Sequence, residues 1–478
     1  MRTLQRIFLF VAFAAVSQAT ISGNMQWDVR TTGNDANGGA FKLGATGTDF
    51  SQQNSPQLVY SDLLVGATTT EVTSVLNPFS DATSVGNLIN IISGTGCTTG
   101  RFEVLSVAGG IATLDRSAGT AASVCAANLG GSMATPGAAG AAMVASNAMF
   151  IRAATYTVTT SIVTPGNNHY FEGYQNAHHD LGTKPLITTA TDSTQIWKAA
   201  NANGGAGTIM FNNISFSSTA AVRSQGLYYW NALASVIVAN CIFDGFVMAI
   251  DASNDASYNL IGSLSVTNTE FKNGTQAIHI EYGATNLTGQ VNCHACYIHN
   301  MSSTGGAIQS TGISGAILTL DFSVMSANVV AISGFTVVNL FNSDIVSNSG
   351  TNVIQNAREV ANCQNSIFYG NTNTALNVST VLAVAPACGN GRNNAFGANG
   401  TKYNVGTTSI GEITLTANPF TSSTDFTLNS TAGGGALLKA AGFQASITGS
   451  TTTGTLDVGA IQGLAAGPPV QVGSAFVQ

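Results

Sequence analysis

The chain has little charge to spread over its surface. Of its 478 residues, 15 are lysine or arginine and 22 are aspartate or glutamate. Charged residues make up 8 % of the whole, against about 25 % in an ordinary globular domain. That excludes Lys/Glu-rich amphipathic helices as the main building unit. Lysine and arginine never cluster, and the net charge is −7. Phosphate binding needs clustered cations, so nucleic acid is excluded as a partner. The same deficit excludes an anionic membrane surface. Neither a P-loop nor a Gly-x-Ser-x-Gly nucleophile elbow occurs. Proline is scarce, at 9 residues.

Glycine, at 53 residues, leads a composition otherwise filled by Ser, Thr, Asn, Ala and β-branched apolar residues. Such residues suit turns and strands. The first 19 residues stand apart. Arg2 and Arg6 precede an apolar stretch from Ile7 to Val16, and Ser17-Gln18-Ala19 supplies small residues for cleavage. This pattern predicts a secretory signal peptide and an extracellular or cell-surface protein. An uncleaved anchor is the alternative, but the stretch is shorter than the about 20 residues a bilayer requires. No membrane association is expected once the signal is removed.

An internal repeat dominates residues 207–376. Apolar anchors at Phe216, Phe243, Phe271, Ile298, Met325, Ile345 and Phe368 recur at intervals of 27, 28, 27, 27, 20 and 23 residues. Periods of this size mean a solenoid. After most anchors comes a small-plus-aliphatic pair: Ala249-Ile250, Ala277-Ile278, Ala307-Ile308, Ala331-Ile332, Val353-Ile354 and Ala375-Leu376. Each repeat therefore carries at least two short alternating strands, with Asn-rich turns such as Asn273-Gly274 between them. One repeat cannot bury its apolar face alone, whereas stacking at about 4.8 Å buries Phe on Phe and Ile on Ile. The leucine-rich pattern is missing, and propeller blades are longer. Past residue 390 the repeat fades.

Residues 44–133 read as an insertion, a small β-sandwich or barrel with strands near 85–93, 101–107 and 110–114. Seven cysteines are present. Cys97 and Cys125 both fall inside the insertion and form one plausible disulfide; Cys363 and Cys388 form another. Cys293 and Cys296 make a CxxC without the second pair that a zinc or redox site needs, so one β-rung accounts for both.

Two segments carry a resemblance. Trp27-Asp28-Val29-Arg30, followed by Thr32 to Gly39, is similar to the opening of many exported β-helix proteins. Met149 to Tyr174 resembles the first rungs of pectate-lyase-like proteins, and Asp457-Val458-Gly459-Ala460 resembles a motif that closes many bacterial members. The chain thus resembles the exported right-handed parallel β-helix proteins of the pectin-lyase fold. The resemblance implies an all-β, right-handed solenoid, a helical stretch at Pro136 to Ser146, and a C-terminal motif capping the final rung. The organisation expected is a signal peptide at 1–19, an opening segment at 20–43, the inserted β domain at 44–133, the β-helix at 134–462 and a tail at 463–478.

Stacked rungs make outer columns. The residues after the small-aliphatic pairs give Asp251, His279, Gln309, Ser333 and Gln355; two further on stand Ser253, Glu281 and Thr311. One rung earlier the register puts Tyr228 and Trp230 in these columns. Aromatic rings, carboxylates, a hydroxyl and an amide together suit a sugar, so Tyr228, Trp230, Asp251, Ser253, His279 and Glu281 form the candidate ligand patch. A solvated sheet face is the plainer reading of the same residues. Asp251, His279 and Glu281 are the catalytic candidates, as a carboxylate pair for glycoside hydrolysis or a carboxylate-supported histidine.

The catalytic sets implied by the resemblance are missing. Polygalacturonase-like members carry Asn-Thr-Asp, Asp-Asp and Gly-His-Gly segments, and this chain has only Asn268-Thr269-Glu270 as a near match. Pectate-lyase-like members use an arginine beside calcium-binding aspartates, but Arg223 and Arg358 have none clustered near them. The reading is therefore a non-catalytic polysaccharide-binding or surface structural protein. The rivals are a polysaccharide lyase or glycoside hydrolase, and a phage-type fibre or tailspike. No cofactor motif is present. Calcium at Asp35, within the Gly33 to Gly38 turn, and a divalent metal at His178-His179-Asp180 are the candidate ion sites, each matched by a plain surface-turn reading.

Overall fold

The computed structural model describes residues 21–461, apart from 166–167, 201–206, 221, 231–234, 254–262, 282–288, 312–314, 358, 379–386, 404–409, 440 and 443–456. The expected signal peptide and tail lie outside the described residues. Three long sheets of twelve, eleven and ten strands run along the molecule. From Ala148–Arg152 to Thr401–Tyr403, successive strands of one sheet are three apart in chain order and parallel. The chain therefore winds through all three sheets once per rung, and the crossovers make it a right-handed β-helix. The ten-stranded sheet bounds ten complete rungs, from Ala148–Arg152 to Thr401–Tyr403.

The seven anchors form one column. Phe216 pairs with Phe243, Phe243 with Phe271, Phe271 with Ile298, Ile298 with Met325, Met325 with Ile345, and Ile345 with Phe368. The rings of Phe216, Phe243 and Phe271 stack at 5.0 Å. The column continues to Phe396, 4.9 Å from Phe368. The repeat thus persists beyond residue 390, where the sequence pattern fades.

Each repeat has three strands because the anchor segment is bent. Thr208–Asn212 lies in the first sheet and Ser215–Ser218 in the second. Between them Asn213 takes φ 58°, and Asn240, Asn268, Asn342, Asn365 and Asn393 repeat this on other rungs. Asparagine tolerates this left-handed region better than most residues. A second asparagine ladder closes later rungs. The Asn348 amide oxygen accepts the Asn328 N–H at 3.0 Å and its nitrogen donates to the Met325 carbonyl at 3.2 Å. Asn371 and Asn399 repeat the pattern.

Two devices close the N-terminal end. The helix Pro136–Ala142, capped by the Thr135 hydroxyl, packs on Ile162–Pro165; Gly140 keeps the approach close, since a Cβ there would lie 3.0 Å from the Ile162 side chain. Met25–Val29 pairs with Ala148–Arg152 on one side and antiparallel Ala40–Lys42 on the other. Between these segments sits a closed antiparallel barrel of six strands, Leu58–Val65, Glu71–Thr73, Ile111–Leu114, Gly100–Ala108, Leu88–Ser93 and Val124–Leu129. Its interior is filled by Tyr60, Leu63, Val72, Ile89, Phe102 and Leu129. Arg101 docks it, donating to the carbonyls of Asp35, Asn37 and Gly38.

Cys97 and Cys125 form a disulfide across the barrel, with Cα atoms 6.0 Å apart. The bridge expected between Cys363 and Cys388 is not formed. Cys363 is a free, buried thiol whose partner in the next rung is Gly391. Cys293 and Cys296 are free, buried thiols in the core of one rung.

The Asp457 to Ala460 motif does not cap the final rung. It folds back on the outer face of the second sheet, where Val458 and Ala460 cover Val324, Val346, Ile367 and Ala395. Gly459 donates to the Asn365 carbonyl at 2.7 Å, and Ala460 N–H donates to Asp344 Oδ1 at 3.1 Å. A side chain at Gly459 would meet Asp344 Oδ1 at 2.8 Å, which explains the glycine. Asp344 is fully buried, its Oδ2 has no partner among the described residues, and burial raises its pKa well above the ordinary carboxylate range.

Two predictions follow from these contacts. A carboxyl whose folded pKa is raised is tolerated when protonated and costs stability as pH rises through that pKa. Asp344→Asn should therefore stabilise the protein by about 1–3 kcal/mol at pH 7. The gap between variant and parent should shrink in denaturant melts as pH falls toward 4. Replacing Cys97 and Cys125 by serine should cost the barrel about 3 kcal/mol and leave the solenoid transition in calorimetry unchanged.

Candidate functional site

The third sheet carries the candidate patch, and its ladder fixes the register. Lys198 pairs with Tyr228, Tyr228 with Asp251, Asp251 with His279, His279 with Gln309, Gln309 with Ser333 and Ser333 with Gln355. The neighbouring column pairs Trp230 with Ser253 and Glu281 with Thr311. The side chains of Trp230 and Ser253 lie outside the described residues. The structure thus brings Tyr228, Asp251 and His279 together on consecutive rungs, with Glu281 two positions beyond His279 on the same strand.

Burial divides the patch. Glu281 is exposed and Tyr228 and His279 are half-buried, but Asp251 is only 2 % exposed. Both of its oxygens are engaged. Oδ1 meets His279 Nδ1 at 2.9 Å, and Oδ2 accepts from Gln225 Nε2. The Nε2 of His279 lies 3.4 Å from the Thr311 hydroxyl. An Asp251–His279–Thr311 chain therefore crosses three rungs, and Asp251 orients the imidazole with its Nε2 toward Thr311. A carboxylate so enclosed is a poor partner for Glu281 in glycoside hydrolysis, which needs both carboxyls at the scissile bond.

Three contributors escaped the sequence reading. Gln225 and Gln276 stand three positions before the outer column, and Gln276 donates to Gln309 Oε1. Lys198 places its ammonium 5.9 Å from the centre of the Tyr228 ring. The recurring glutamines at 195, 225 and 276 were the available signal, since they align in one register.

A second polar cluster sits on the first sheet. Asp28 is fully buried and holds Arg30 Nε at 2.7 Å, the Tyr174 hydroxyl at 2.7 Å and His178 Nε2 at 2.8 Å. Glu172, also buried, accepts from the Tyr170 hydroxyl and from the His179 N–H at 2.7 Å. His178 and His179 thus serve different carboxylates, and the His178 ring stacks on Phe150 at 3.8 Å. Asp180 caps the turn by accepting the N–H groups of Gln175 and Asn176. Asp35 accepts the N–H groups of Ala134 and Thr135 and the Thr135 hydroxyl, so it braces the start of the helix. No group of three His, Cys, Asp or Glu suited to a metal occurs among the described residues.

Removing the Asp251 carboxylate should leave Gln225 and His279 without their acceptor. Asp251→Ala is expected to destabilise the protein by about 1–3 kcal/mol. Glu281→Gln, at an exposed position, should change stability by less than about 0.5 kcal/mol. Parallel urea melts of the two variants check the contrast.

No family model matches this sequence, and no curated protein matches it. Among solved structures, the chain is similar to the tailspike protein gp49 from Pseudomonas phage LKA1, at 14 % identity and a TM-score of 0.20. The match covers 76 % of this chain and 64 % of that protein's length. The assignment as a parallel β-helix rests on the ladders of the three sheets themselves.

Proposed function

We propose that this chain is an exported or cell-surface β-helix that binds polysaccharide along the outer face of its third sheet without turning it over. One observation carries the reading: Lys198, Tyr228, Asp251, His279 and Gln309 are paired in register on consecutive rungs. Such a column offers an aromatic ring, a cation, an imidazole and an amide at intervals of about 4.8 Å. Aromatic faces accept the apolar side of a sugar ring, and the polar groups match its hydroxyls. Asp251 supports the binding role because both its oxygens are already engaged. The signal-like pattern of residues 1–19 supports export.

The Asp251–His279–Thr311 chain favours a second reading, a polysaccharide lyase or hydrolase. There His279 would be the base and Glu281, exposed beside it, a second acid–base group.

Screening the mature protein against polysaccharides, scoring binding and product release together, separates these readings. Binding without product, weakened about tenfold or more by Tyr228→Ala, is the outcome expected. Product release abolished by Glu281→Gln and His279→Gln would establish the enzyme instead. A trimer in sedimentation that binds no glycan would replace both with an attachment fibre.

A further inference from the structure

The corner between the first and second sheets is built the same way on successive rungs. The residue after it is buried and hands its side-chain hydrogen to the carbonyl two positions back. Thr269 donates at 2.9 Å, Ser323 at 3.0 Å, Ser343 at 2.9 Å, Ser366 at 3.1 Å and the Cys241 thiol at 3.2 Å. Cys296 holds its carbonyl most loosely, with the sulfur 3.7 Å from the His294 oxygen. The residue two places before the corner also lies in the core, in a column that runs Val266, Cys293, Leu320, Leu340 and Cys363.

Among the described residues, one rung alone puts sulfur on both sides of its corner. There Cys293 and Cys296 flank the bend at Ala295, whose φ is 53°. Across the corner from Cys241 stands Val238, and across the corner from Cys363 stands Ser366. The Cys293 thiol is hydrogen-bonded to Cys296, which brings the two sulfurs together. The corners at Asn213, Asn240, Asn268, Asn342, Asn365 and Asn393 use a residue that tolerates a left-handed φ, and Asn240 and Asn268 also brace one another through their amides. Alanine has no side chain for such a brace. A covalent link across the bend would do for Ala295 what amide bonds do on neighbouring rungs.

Burial decides when such a link can form. Cys293 is 1 % exposed and Cys296 2 %. The contact with Cys296 and then burial raise the Cys293 pKa well above the ordinary thiol range. Thiol–disulfide exchange needs a thiolate and access to it, so the folded pair is inert. The unstacked chain is different, because two cysteines three residues apart meet often and are open to solvent. A bridge closed at that stage is then sealed from reductants by the same burial. Oxidising surroundings are what export supplies, and Cys97 and Cys125 already form a bridge.

We propose that Cys293 and Cys296 become a disulfide across the Ala295 corner when the chain folds in an oxidising compartment. Two S–H bonds break and one S–S bond forms, while the two electrons and two protons reduce a small-molecule disulfide to a pair of thiols. The proposal rests on the export half of the reading above for its setting and is independent of what the third sheet binds. The test folds the full chain in a mixture of oxidised and reduced glutathione. That mixture supplies the oxidant whether or not the protein is exported, so failure of the export reading is distinguishable from failure here. The folded protein is then denatured with N-ethylmaleimide and no reductant, digested, and mapped by mass spectrometry. The peptide holding Cys293 and Cys296 should be unlabelled and lighter by two hydrogens, whereas Cys241 and Cys363 should take the label. Cys296→Ser, which installs the residue found after the corners at Phe322, Asn342 and Asn365, should fold and leave Cys293 labelled. Label on both Cys293 and Cys296 in the folded parent would overturn the proposal. So would an unlabelled Cys293 in the Cys296→Ser variant, since its bridge would then run to another cysteine.

Discussion

Every rung from Thr208 onward turns its first corner through one residue of positive φ. Asn213, Asn240, Asn268, Ala295, Phe322, Asn342, Asn365 and Asn393 occupy that corner in succession. The bend sends the chain from the first sheet into the second, and it must recur at the same place or the ladders lose register. Everything else inherits its position from this constraint. Phenylalanine falls on phenylalanine, and the residues of the third sheet fall into outer columns, because each corner restores the phase. Ala295 and Phe322 meet the constraint at a cost of about 1–2 kcal/mol each. Around them the asparagines bond to one another, Asn240 to Asn212 at 2.9 Å and Asn268 to Asn240 at 2.7 Å. Phe322 rests edge-on against His294, 5.7 Å away.

A chain with so little charge still buries five carboxylates among the described residues, Asp28, Glu103, Glu172, Asp251 and Asp344, of which Glu103 pairs with Lys42 at 2.7 Å. Three of them are met by a histidine. Those three sit where the outer face of a sheet is overlaid by neighbouring side chains or by the turn around His178. Asp344 alone meets only a backbone N–H, supplied by the returning C-terminal segment. A buried carboxylate is stable when its charge is shared. The three histidine-paired groups therefore stiffen the sheet faces on which they sit, while Asp344 marks a junction between two parts of the chain.

The sequence made the solenoid legible because apolar anchors report stacking directly. Phe216 to Phe368 recur at one phase, and the ladder pairs the same residues. The outer columns followed from alternation alone, so Tyr228, Asp251 and His279 were assigned to neighbouring rungs from the pattern. Burial was not legible. Alternation says that Asp251 points out, but not that Gln225 and His279 close over it. Nor does alternation reveal Asp28 beneath a turn contributed about 150 residues later. The corner asparagines lay unremarked inside the anchor segments, because single positive-φ residues leave apolar periodicity almost intact. The Asp457 to Ala460 motif pointed by resemblance to a cap on the final rung, whereas its place against Asp344 depends on a return path that no local pattern encodes.

The antiparallel strand Ala40–Lys42 and the helix Pro136–Ala142 have a consequence for the life of the protein in crowded surroundings. An open parallel sheet presents unpaired backbone to any passing strand, and identical molecules then grow end to end into fibrils. At the N-terminal end of this solenoid the outermost strand runs the wrong way for that growth, and the helix lies across the exposed core. The barrel emerges from the same edge and adds bulk in front of it. The N-terminal end of the solenoid thus carries its own stopper against strand-on-strand growth.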